Sequence, residues 1–144
     1  MGMIPFHTLC PDRAKKEVRS VLVQPGPTGA LNDEYGFIEF YCDDPRCDCR
    51  RVFIQVVARS RPGAIMASIN FGWEDEEYYR QNMPYAPEAA REITDASLDP
   101  INEQSSEAPE LLSLFQEMVL ADPAYKLRLK RHYELFRRSL RKRR

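Results

Sequence analysis

Three thiols crowd into one short stretch of EFYCDDPRCDCRRVFIQ, residues 39–55: Cys42, Cys47 and Cys49, in the pattern C-x4-C-x-C. Thiolate is a favoured ligand of structural zinc, which takes four donors in a tetrahedron. In extended backbone the one-residue gap sets Cys47 and Cys49 on one side. Asp43, Asp44 and Pro45 are residues that turn a chain, and here they turn it back toward Cys42. The spacing therefore predicts a Zn2+ site at a strand connection. Ordinary buried thiols fit poorly, because Asp43, Asp44, Arg46, Asp48, Arg50 and Arg51 surround them and charged residues are seldom buried unpaired. A Cys47–Cys49 disulfide would be strained. A redox or nucleophilic thiol is the competing chemistry, since a nearby guanidinium lowers a thiol pKa.

The fourth ligand is not adjacent to the other three. Cys10, in HTLCPD, is the one thiol left over and is the first candidate. His132 and His7 follow, with Asp43, Asp44 or water behind them. His132 falls on the apolar side of a helical stripe and is expected to point inward, where a histidine is more often a hydrogen-bonded core residue than a ligand. Three thiolates and a histidine around Zn2+ leave a net negative charge, and four thiolates leave more. Arg46, Arg50 and Arg51 are placed to offset it and to hydrogen-bond the sulfurs, or simply to keep the turn solvated.

Other catalytic signatures are missing from the sequence. It holds no Walker A loop, no G-x-G-x-x-G, no H-E-x-x-H and no G-x-S-x-G. Its two histidines are far apart in sequence, which disfavours a histidine-based triad. The acids of WEDEEYY (73–79) read as the start of a helix favoured by the dipole rather than as a paired-carboxylate site.

The elements that must position the thiols follow from periodicity. EVRSVLVQ (17–24), YGFIEFYC (35–42), RVFIQVVAR (51–59) and AIMASINFGW (64–73) read as four successive strands. The Pro/Gly-rich PGPTGALNDE (25–34) and the tight turn SRPG (60–63) join them. Phe37, Glu39 and Tyr41 share one side of the second strand, and Val52, Ile54, Val56 and Ala58 one side of the third. Beyond residue 73 the pattern becomes helical: 74–83, stopped by Pro84; 87–96, opened by Pro87; a linker over 97–109; and a stripe of Leu111, Leu114, Phe115, Met118 and Val119. Asp122 and Pro123 open the last helix as cap and first residue. Along it Tyr125, Leu129, His132, Tyr133, Phe136 and Leu140 share a face. The expected fold is α+β: a small antiparallel β-meander with a zinc knuckle at a strand connection, packed with C-terminal helices. One domain, 1–144, is expected, mainly β over 1–73 and mainly helical over 74–144.

With 144 residues, 43% apolar and 30% charged, the chain has the composition of a soluble globular domain able to bury a core. It has neither an apolar run of membrane-spanning length nor the apolar core of a secretory signal, so a cytoplasmic location with reduced thiols is expected. The formal net charge of −1 conceals an asymmetry. From Lys126 onward there are ten Lys/Arg and one acid, Glu134. The remainder holds eleven Lys/Arg and twenty-one acids. A basic helix beside an acidic body predicts contact with protein or self-association. Nucleic-acid phosphate is the alternative partner.

YCDDPRCDCRRV, together with LLSLFQEMVLADPAYKLRLKRHYELF, resembles a group of bacterial proteins that carry a Y-C-x-[DN]-P-x-C-D-C-R motif. The match falls on Tyr41, Cys42, Pro45, Cys47, Asp48, Cys49 and Arg50. The resemblance implies a shared fold and a metal site, and no reaction. The SEC-C motif, which also clusters cysteines, places its C-x-C first, so nothing carries over from it. The function expected from the sequence is a zinc-binding, non-catalytic protein-interaction module. A nucleic-acid-binding protein and a metalloenzyme with an open zinc position are the alternatives.

Overall fold

The computed structural model describes residues 2–23 and 31–142. In chain order the elements are β1 (Met3–Pro5), α1 (Phe6–Leu9), α2 (Pro11–Glu17), β2 (Ser20–Val23), β3 (Asp33–Cys42), β4 (Arg51–Ala58), β5 (Ala67–Gly72), α3 (Glu76–Asn82), α4 (Pro87–Asp95), β6 (Ser97–Leu98), α5 (Ala108–Ala121) and α6 (Pro123–Lys142). The sheet runs β1-β3-β4-β5-β6, every pairing antiparallel. The ten residues of β3 serve two partners on one edge. β2 pairs at Asp33–Gly36 and β1 at Phe40–Cys42. The expected α+β meander is therefore present, with the cysteine cluster at the β3–β4 connection.

Alternation places the core as expected. Tyr35, Phe37, Glu39 and Tyr41 of β3 and Val52, Ile54, Val56 and Ala58 of β4 are buried. All but Glu39 share a cluster with Leu111, Phe115 and Met118 of α5 and Tyr125, Leu129, Tyr133 and Phe136 of α6. Aromatic edges knit it: Phe115 meets Phe71 at 5.6 Å, and Tyr41 meets Phe136 at the same separation. α6 is held at its start by Asp122, whose Oδ1 accepts from the Ala124 N–H at 3.1 Å, as the Asp-Pro pair predicts. A smaller cluster of Tyr79, Met83, Ala90 and Ile93 joins α3 to α4.

The sequence reading differs from this structure at the ends of the sheet. Residues 17–19, assigned to the first strand, include the end of α2 and a bend; the strand itself begins at Ser20. β1, α1 and α2 were not expected, and the linker over 97–109 contains β6 and the start of α5. These pieces are two to seven residues long, too short for a period to show. Of the loop expected at 25–34, Asp33 and Glu34 belong to β3, and positions 24–30 lie outside the described residues.

Candidate metal centre

β3 ends at Cys42 and β4 starts at Arg51, so pairing of Phe40 with Phe53 fixes both ends of the connection that carries the thiols. The turn begins with reciprocal bonds to Gly2: Asp43 N–H donates to Gly2 O, and Gly2 N–H to the Asp43 side-chain Oδ1, each at 2.9 Å. Asp44 then folds the chain, its carbonyl accepting from Cys47 N–H at 3.1 Å and its Oδ1 from Arg46 N–H at 3.0 Å. Arg50 closes the turn in a left-handed conformation, φ 49°. Such a backbone is unfavourable for a residue with a Cβ and needs neighbours to hold it.

Those neighbours come from two helices. Tyr79 of α3 donates its hydroxyl to Arg50 O at 2.7 Å and accepts from Glu74 N–H at 3.0 Å. Tyr78 donates to Asp48 O. This approach depends on Gly72: a Cβ there would collide with the Tyr79 ring and stand 2.7 Å from Ile93 Cγ2. From the other side α6 contributes Tyr133, whose hydroxyl donates to Asp48 Oδ1 at 2.8 Å. It also contributes Arg137, which donates to Cys47 O and, at 3.2 Å, to Pro45 O. Arg50 adds two bonds to Asp48 Oδ2, at 3.1 and 2.9 Å, and one to Glu74 at 2.8 Å. The paired guanidinium holds the Asp48 carboxyl below its ordinary range.

Within this frame the Sγ atoms of Cys42, Cys47 and Cys49 all lie within 4.8 Å of one another. Sulfurs on a tetrahedral zinc, each about 2.3 Å from the ion, stand roughly 3.8 Å apart, so the trio needs only a small contraction to hold one. Cys47 and Cys49 also line a cavity of about 140 Å³ between the turn and α3. Burial first, and then the neighbouring thiols of Cys49 and Cys42, push the Cys47 thiol up to about 12. A divalent cation among the three would reverse that preference, because a coordinated thiol is deprotonated.

The fourth thiol stands apart. Cys10, at the α1–α2 corner, has its Sγ 3.6 Å from Ser139 Oγ and does not belong to the trio. Ser139 and Arg137 are two positions apart on α6, about 200° around the helix. Cys10 and the knuckle thus meet different flanks of it. His7 is exposed on α1, and it too is outside the trio.

His132 points inward, as expected, but as a fourth ligand it is excluded by its partners. Its Nδ1 lies 2.7 Å from Glu39 Oε1 and its Nε2 2.7 Å from Glu17 Oε1, and Phe6 stacks on the ring at 4.3 Å. Each ring nitrogen therefore has a carboxylate oxygen within hydrogen-bond reach. Glu39 is fully buried and also accepts from Tyr41 at 2.7 Å. The His132 bond holds the Glu17 carboxyl below its ordinary value, while burial and then Glu39 push Tyr41 well above its own. Glu39 was legible as inward-facing in the alternation of β3. Its pairing with His132, 93 residues away, was not.

Of the two roles open to Arg46, Arg50 and Arg51, hydrogen bonding to the sulfurs is not present among the described residues. Arg50 is committed to Asp48 and Glu74, Arg46 lies 4.0 Å from Asp44, and Arg51 donates to Met83 Sδ at 3.9 Å. Arg137, which sequence reasoning missed, grips the turn through its carbonyls instead. Nothing local in the sequence marks it among the other basic residues of α6.

Comparison with protein-family models, with curated proteins and with solved structures gave no match. No helix among the described residues is long and apolar enough to cross a membrane.

Proposed function

We propose that the chain is a zinc-binding protein in which Cys42, Cys47 and Cys49 give thiolates to a structural Zn2+, and that it works through protein contacts rather than catalysis. The observation that carries this reading is the convergence of three Sγ atoms within 4.8 Å in a turn held by α3 and α6. An ion bound there would cross-link the end of β3 to the start of β4. The chain's own residues do the rest: Tyr79 and Arg50 hold the backbone reversal, and Tyr133 and Arg137 tie the turn to α6. Cys10, the chain's remaining thiol, lies beside Ser139 on another flank of α6, and its part in the site is what Cys10→Ser decides.

A second reading has a specific observation behind it. Three converging ligands with a fourth position left to water is the pattern of catalytic zinc, whereas four protein ligands mark structural zinc.

Variants test both. Binding that favours the folded state stabilises by about 2.7 kcal/mol at a hundredfold excess over Kd, roughly 5–10 °C in Tm for a chain of this size. Cys47→Ser and Cys49→Ser should each lose zinc and that increment. Unchanged melting and metal content in both would overturn the metal reading. Loss of zinc in Cys10→Ser supports the four-thiolate site, and full retention turns the account to the open one.

A further inference from the structure

α6 leaves one flank of its basic side unpaired, and that flank borders the knuckle. Arg50, Trp73, Lys130, Tyr133, Arg137, Arg138 and Arg141, with Asp48 and Glu134, line a cavity of about 410 Å³. Its volume is that of a small-ligand site, and five cations face two acids.

The charges are not equally free. Asp48 is spent on Arg50 and Tyr133. Arg137 gives its hydrogen bonds to carbonyl oxygens and makes no direct ion pair among the described residues, while Asp48, which feels its charge, is bonded to Arg50. Lys130, Arg138 and Arg141 are exposed and make no ion pair among the described residues. The acidic body, expected to neutralise this helix, reaches α6 on its other flank, where Glu17 meets Arg131 at 3.7 Å and His132. Against Lys130, Arg138 and Arg141, which make no ion pair among the described residues, and Arg137, the lining sets only Glu134 and the Asp48 already bonded to Arg50. Trp73 forms part of the wall and is itself buried.

We propose that this cavity binds a compact, multiply charged phosphate group, a di- or triphosphate, either free or as the end of a nucleotide. One carboxylate would leave most of the charge uncompensated, whereas a triphosphate brings several negative charges into one volume. Arginine forks match phosphate oxygens two at a time. Stacking on a base has no support here. Trp73 and Tyr133 are 7% and 4% exposed and pack edge to face against each other at 5.2 Å, whereas single-strand binders offer open rings. The site therefore reads the phosphates and ignores what is attached to them.

Calorimetry on the full chain with inorganic triphosphate, ATP and a single-stranded oligonucleotide tests this, and none of the variants involves a cysteine. Triphosphate and ATP should bind alike. Arg138→Ala/Arg141→Ala should weaken both roughly tenfold or more, because two charge-assisted donors are lost. Both side chains are exposed, so melting should not change; Lys130→Ala should give a smaller loss in the same direction. No binding by the native chain, or equal binding by the double variant, overturns the proposal. ATP binding without triphosphate binding overturns it in favour of base recognition, and an oligonucleotide that binds far more tightly than triphosphate overturns it in favour of nucleic acid.

Discussion

Replacing Glu39 by Gln tests how α6 is fixed over the end of β3. The Glu39 side chain is fully buried, and its Oε1 accepts from His132 Nδ1 and from Tyr41, each at 2.7 Å. The Tyr41 hydroxyl also lies 3.2 Å from Leu129 O, so Glu39 and Tyr41 together join β3 to one turn of α6. The substitution keeps the shape and removes the charge, leaving His132 deep in the core with only Glu17 opposite. Removing one member of a buried charged pair costs about 3–5 kcal/mol. Two charge-assisted hydrogen bonds at about 1.5–3 kcal/mol each give a similar figure. Against a total stability of about 5–15 kcal/mol, that is a large fraction. Urea unfolding followed by circular dichroism reads the loss as a lower midpoint at unchanged slope. The double variant Glu39→Gln/His132→Gln should lose less than the sum of its single variants, because the ring left unpaired in the first is gone. A loss below about 1 kcal/mol for Glu39→Gln, or strict additivity in the double variant, would refute the argument that the Glu39–His132 contact fixes α6.

Gly72→Ala should push Tyr79 off Arg50 O and Glu74 N–H, costing about 1–3 kcal/mol through overpacking and weakening zinc retention; a native melt with native metal content would contradict it. The Glu17 carboxyl, held below its ordinary value of 4.5 by His132, contributes stability that is present above 4.5 and lost as pH falls through the lower folded value. Urea midpoints of the native chain should therefore drop on acidification through this range, and those of Glu17→Gln should drop less. Identical acid limbs in the two proteins would remove Glu17 from the account.

The strands that carry the thiols were legible because alternation is read over eight to ten residues of β3 and β4. α6 was legible because its apolar stripe, Tyr125 to Leu140, runs through about four turns and opens with Asp-Pro. β1 and β6, of three and two residues, exist only because a neighbouring strand offers an edge, and no local pattern encodes that. The thiol trio could be read because its members are close in sequence. The role of Arg137 and the partners of His132 could not be read, since each depends on which flank of α6 meets which loop. Cys10 shows the same limit: proximity to the first strand suggested the sheet, and the packing of α1 puts its sulfur beside Ser139.

The central claim is one metal ion held by Cys42, Cys47 and Cys49. Native mass spectrometry of the untagged chain, paired with zinc-edge absorption on the same sample, measures the ion and its sulfur neighbours together. The account predicts one zinc per chain with at least three sulfurs at about 2.3 Å. A folded chain that carries no metal, with all four thiols reacting freely, would contradict it.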